Sequence, residues 1–150
     1  MKKRYTAHTL VELIMIVVIL GALAFIAVPR LQFATVYRKQ ADTIARKLVT
    51  DLRRTRRLAV SDAATNTDGY ALNRTGSTYE IVDLSDGETI PNGTFSIDSK
   101  ISCSGGTSFQ FGPLGNLKTG SDSQLTVSAQ EKTFTISITS ATGIIQCTEN

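Results

Sequence analysis

Glu12 is the residue that most invites a chemical reading. It lies just before residues 13–28, a run with no charged side chain. A lone acid at membrane depth costs roughly 2.5–3.5 kcal/mol on insertion scales. That cost is useful only if a positive group meets the carboxylate. A new α-amino group, made by cutting the chain just upstream, would be such a group, with a reference pKa of about 7.7–8.0. A second cluster is Arg53, Arg54, Arg56 and Arg57. Four arginines in five positions could neutralise phosphates or meet an acidic partner. Neighbouring positions spread around a helix, however, and no aromatic residue is interleaved, so a solvated face touching acidic surfaces is favoured over a nucleic-acid site. Third, Cys103 and Cys147 could close a loop outside the cytoplasm. Such a bond would stabilise the fold by roughly 3–4 kcal/mol in the chain-entropy model, and the alternative is two buried free thiols.

Other chemistry is poorly provided for. His8 is the single histidine, so no Ser-His-Asp arrangement can form downstream of it. Two isolated cysteines with no histidine near them make a poor zinc site. The stretch GPLGNLKT at 112–119 lacks the glycine before lysine that a phosphate loop needs. Acid pairs such as Asp83/Asp86 and Asp86/Glu88 read as turn residues, and Asn73-Arg74-Thr75 and Asn92-Gly93-Thr94 are formal glycosylation sequons. No enzymatic activity, metal or cofactor is expected.

These residues must be positioned by three stretches of different character. With Leu10 and Val11, the apolar run approaches the ~20 residues that span a bilayer, and Lys2, Lys3 and Arg4 precede it. It reads as a single-pass anchor, as a secretory signal with Ala22-Leu23-Ala24 as cleavage motif, or as a segment in which Glu12 has a purpose. Gly21 weakens a helix there, and Pro29 predicts a kink. Beyond Pro29, residues Ala41, Ile44, Ala45, Leu48, Leu52, Thr55 and Ala59 recur at helical spacing on one strip. Residues 30–57 hold nine bases and two acids, a net of +7, whereas residues 58–150 hold four bases and ten acids, a net of −6. Such a split suggests an acidic partner for the basic helix, or contact between the helix of one copy and the head of another.

After Asp62 the chain becomes rich in turn residues, and DAATNTDGYALNRTGS reads as loop. Short alternating runs follow at 78–84, 94–102, 108–111, 124–129 and 133–139, with a last run at 143–147. AQEK at 129–132 reads as a hairpin turn. Alternation with one apolar face predicts an antiparallel sheet covered on one side by the apolar strip of the helix.

The stretch AHTLVEL at Ala7–Leu13 resembles the start of type IV prepilins, where a peptidase cuts before the apolar run and methylates the new N-terminus. Gly21 and Pro29 also fall where that family has a Gly and a Pro. The resemblance implies a cut between Ala7 and His8, methylation at His8, and an assembly role for Glu12 facing the N-terminal amine of a neighbouring subunit. Ala7 departs from the usual Gly and His8 from the usual Phe. ARKLVTDLRRTRRLAV, FQFGPLGNL (with Phe111 and Gly115) and TFTISITSATGIIQ resemble the GspH/FimT-like branch of minor pseudopilins and minor pilins. Basic residues near the C-terminal Gly-turn, which bind DNA in some of that branch, are absent from GIIQCTEN.

The implied organisation is a leader at 1–7, a transmembrane or filament-core helix at 8–29, an amphipathic helix at 30–60 and a β-rich head at 61–150. The implied fold is α+β, with one long hydrophobic then amphipathic helix packed on an antiparallel sheet. The implied function is a structural subunit of a type II secretion pseudopilus or type IV pilus. Its partners would be other pilin-like subunits, the prepilin peptidase and the bacterial inner membrane, with a periplasmic head. The alternatives are a DNA-binding minor pilin used in uptake and a membrane-anchored module that never assembles.

Overall fold

The computed structural model describes residues 9–130 and 132–150, with the side chains of 26–35 left out of the description. The chain divides into two compact units, Met1–Val36 and Tyr37–Asn150. One helix, α1 (Leu10–Ser61, 52 residues), contributes to both.

In the first unit, α1 begins at a capping arrangement. Thr9 Oγ1 accepts the Glu12 N–H at 3.3 Å, and the Leu13 N–H donates to the Thr9 carbonyl at 3.2 Å. Thr9 is thus the N-cap, and Glu12 sits at the third helical position, where an acid also suits the positive end of the helix dipole. The described side chains that follow are exposed throughout residues 10–25, with Leu10 at 76% and Phe25 at 85%.

Two expectations are corrected here. Among the described residues, no helix is long and apolar enough to cross a membrane. The single-pass inner-membrane anchor, with the transmembrane helix and periplasmic location that depended on it, is therefore not what the structure gives. Residues 10–25 number sixteen with Glu12 among them, short of the ~20 apolar residues a span needs. The fold is α+β, but among the described residues it does not contain the long apolar helix half expected, and its β part there is two sheets rather than one.

In the second unit, α1 turns amphipathic. Ala41, Ala45, Leu48, Val49, Leu52, Thr55 and Ala59 are buried, and Ile44 packs at the edge of the same core. Full burial of a leucine such as Leu48 or Leu52 stabilises by about 1.5–3 kcal/mol. The strands are β1 (Tyr70–Thr75), β2 (Thr78–Asp83), β3 (Thr89–Ser96), β4 (Ser102–Gly105), β5 (Ser108–Phe111), β6 (Gln124–Ala129), β7 (Lys132–Ile138) and β8 (Ile145–Glu149). They form two antiparallel four-stranded sheets, ordered β3-β2-β1-β5 and β4-β6-β7-β8. Leu72, Tyr79, Phe109 and Phe111 of the first sheet and Leu125, Val127, Phe134 and Ile136 of the second join the helix stripe in one core.

Strand β1 lies inside the stretch expected to be loop. Its first three residues are buried between β2 and β5, although its sequence, YALNRT, does not alternate. Strand β3 carries Pro91 on a sheet edge, where the missing N–H breaks no ladder. The chain passes from the second sheet to the first across only Gly106 and Thr107. The Gly106 N–H donates to the Gln124 carbonyl, whereas the Thr107 carbonyl accepts from the Arg74 N–H. Asp122 Oδ2 secures the crossing by accepting the Thr107 and Ser108 N–H groups at 2.6 and 3.0 Å. A Cβ on Gly106 would lie 2.5 Å from the Asp122 Cβ, so the approach requires glycine.

Candidate interaction site

The arginines of α1 have unequal surroundings. Arg56 Nε donates to the Gly115 carbonyl at 2.9 Å and its Nη2 to the Thr142 carbonyl at 3.1 Å. It therefore clamps the loop after β5 and the turn between β7 and β8. Gly143, at φ 63°, lets that turn come close: a Cβ there would lie 1.9 Å from the Gly115 carbonyl oxygen. Arg53 Nη2 reaches the Ile145 carbonyl at 3.4 Å. Arg57 is exposed and makes no hydrogen bond or ion pair within the described residues. Arg46 pairs on the surface with Asp42 at 2.8 Å.

Arg53, Arg56 and Arg57 line a groove of about 470 Å³, together with Val60, Gly143, Ile144 and Ile145. Arg54 is not part of it. A second hollow of about 430 Å³ shares Arg53 and is lined also by Arg46, Val49, Thr50 and Cys147. The expected four-arginine cluster is thus split. Three members meet at the groove with Ile144, and Arg46 and Cys147 line the adjoining hollow, none of which sequence spacing brought forward.

Beside the groove runs the outer edge of β8. This strand pairs with β7 on one side and has no strand on the other among the described residues. The Ile138↔Ile145 register, with the Thr139 N–H on the Ile144 carbonyl, turns the main-chain groups of Ile145, Cys147 and Glu149 away from β7. The Arg53 contact to the Ile145 carbonyl lies on that open side.

The cysteines do not meet. Cys103 pairs with Val127 on β4, and Cys147 pairs with Ile136 on β8, at opposite edges of one sheet. Three strand spacings separate them, about 14 Å, whereas a disulfide needs Cα atoms within about 7 Å. Both are free thiols, Cys103 half-buried and Cys147 exposed, so the intrachain bond is corrected. Burial pushes the Cys103 thiol above its ordinary range, with Arg74 acting weakly the other way. Burial also raises Cys147, against the pull of Arg46.

Of the remaining candidates, Glu12 is exposed in the first turn of α1, and a Cβ on Gly21 would meet open space. Ala7 and His8, with the cleavage and methylation expected there, lie outside the described residues, whereas Pro29 lies within the continuous helix α1. Among the described residues no three of His, Cys, Asp and Glu come together as a metal site.

Sequence reasoning missed one buried polar pair. Tyr79 donates to Asp51 Oδ2 at 2.6 Å, with both residues inside the core. The signal was present as an acid on the apolar strip of α1, between Leu48 and Leu52. Comparison of the chain with protein-family models, with curated proteins and with solved structures found no match.

Proposed function

We propose that the chain is a structural subunit of a pilin-like filament, of the type II secretion pseudopilus or type IV pilus kind. One observation supports this reading most: α1 changes character along its length. From Tyr37 onward one stripe of it is buried under the sheets, but residues 10–25 present exposed apolar side chains on every side. A helix apolar all round needs cover on all sides, and contiguous exposed apolar surface marks an interaction site. Copies of the same helix, bundled in a fibre core, supply that cover. The AHTLVEL resemblance adds a cut between Ala7 and His8, which would free an amine beside Glu12.

The test is to express the full chain with a prepilin peptidase, sediment any filaments and weigh the N-terminus by mass spectrometry. The reading expects sedimenting polymer whose subunits begin at His8. It also expects Glu12→Ala to be cut normally yet to leave the polymer. Assembled protein that still begins at Met1, or no assembly at all, overturns it.

A further inference from the structure

The groove beside β8 is basic, partly apolar and bordered by an unpaired strand edge. Arg57 makes no hydrogen bond or ion pair within the described residues, and Arg53 uses one of its five donors on Ile145. Ile144 and Val60 line the same groove and are 50% and 48% exposed. No aromatic side chain lines either hollow, so bases would find no stacking surface.

The matching charge is on the same molecule, at a different edge. Between β2 and β3 the chain turns through Asp86 and Glu88, both exposed. This turn holds its shape without help from a base: Asp86 Oδ1 accepts the Glu88 N–H, and Gly87 bonds back to the Asp83 carbonyl. It adjoins β3, an edge of the first sheet, whereas the groove adjoins β8, an edge of the second.

We propose that the groove receives the β2–β3 turn of a second copy of this chain, with Asp86 and Glu88 of the incoming turn meeting Arg53 and Arg57. The inference rests on the filament reading and adds to it the contact between heads. In the filament the groove of one copy takes the turn of the next, so the contact is heterologous and repeats from copy to copy instead of closing a two-fold dimer. The exposed side chains of Ile144 and Val60 would be covered in the same step, and charge complementarity would fix the register more than it adds affinity.

Cys147 lines the second hollow, which shares Arg53 with the groove, and supplies a reporter. The full chain, cut by the peptidase as above, carries Ser85→Cys to place a thiol on the turn and Cys103→Ser to remove the other native one. Diamide then oxidises neighbouring thiols to disulfides. The proposal expects a ladder of covalent dimers, trimers and longer species, lost when Cys147→Ser is added. It expects Arg53→Glu with Arg57→Glu to cut the ladder about tenfold, and further addition of Asp86→Arg with Glu88→Arg to restore it. Sedimenting filaments without the ladder overturn the groove contact and leave the filament reading standing. Absence of any assembly overturns both. A ladder that stops at dimers, or one untouched by the arginine reversals while those reversals abolish retention of a duplex DNA probe, also overturns the proposal, the latter in favour of a phosphate site.

Discussion

The Tyr79 hydroxyl donates to the Asp51 carboxylate at 2.6 Å in the interior of the head, where Tyr79 is 2% and Asp51 7% exposed. The bond ties α1 to β2 through the middle of an otherwise apolar contact. Thr55 Oγ1 sits one turn along and donates to the Asp51 carbonyl at 2.8 Å. Removing the donor strands a carboxylate that water reaches poorly. Tyr79→Phe is expected to destabilise the fold by about 1–3 kcal/mol, measured by urea denaturation. Adding Asp51→Leu should recover part of the loss, because the unpaired acceptor then disappears. Equal stability of Tyr79→Phe and the parent would show that the pair contributes nothing.

The same burial shapes the response to alkali. Tyr70 is raised from its ordinary 10.0 to about 12, first by burial and then by its bond to Asp62. Tyr79 is raised further, by burial first and by Asp51 second. A phenol whose folded pKa exceeds its unfolded value gives stability that is complete below about pH 10 and falls as pH climbs toward the folded value. Unfolding free energy should therefore be flat with respect to these two groups up to pH 10 and decline above it. Tyr70→Phe should reduce the slope between about pH 10 and 12, read from denaturation series or from phenolate absorbance. An unchanged slope would exclude Tyr70 as a contributor.

Asp122 behaves in the opposite sense. The Ser108 and Thr107 backbone N–H groups hold its carboxyl below the usual carboxylate range. A depressed carboxylate gives stability that is present above its unfolded pKa and is lost as pH falls through the folded one. Asp122→Ala is expected to cost about 1–2 kcal/mol at neutral pH, since two charge-assisted bonds are lost from a partly exposed site. The deficit should shrink in acid, where the parent loses the same bonds. Denaturation at pH 7 and pH 2.5 checks both halves.

Separation of the thiols predicts how the chain meets oxidants and alkylating agents. Cys147 is exposed and should react with iodoacetamide well before Cys103, which is half-buried with its thiol raised by burial. Reductant should leave the melting temperature of the unassembled chain unchanged. A melting temperature that drops on reduction would contradict the placement on opposite sheet edges.

Much of this architecture is legible in the residues, and the exceptions have physical causes. The buried stripe of α1 follows from apolar spacing near 3.6, and β2, β5, β6 and β7 from strict alternation. Alternation reports which face of a strand is buried but not which sheet it joins, so one expected sheet is two. Strand β1 escaped because Asn73, Arg74 and Thr75 look like turn chemistry, although Tyr70, Ala71 and Leu72 are buried. Asp51 looked polar because a carboxylate reveals no buried partner until Tyr79 is placed over it. Distance along the chain between Cys103 and Cys147 carries no information on sheet edges. Thr9-Leu10-Val11-Glu12 has the form of a capping box, a local helix-start signal legible in the residues, and the structure places Thr9 as the cap. The groove was half visible, since arginine content is readable but the β8 edge beside it is a product of topology.

The two-residue passage at Gly106 and Thr107 has an implication for the ancestry and engineering of the head. With β4 committed to one sheet and β5 to the other, neither sheet is a contiguous stretch of chain. No single cut yields two fragments that each own a complete sheet, and no recombination point inside the head exchanges one sheet while sparing the other. Variation that respects this weave must fall at the hairpin tips and outer edges, and those are the surfaces with which one copy would meet the next.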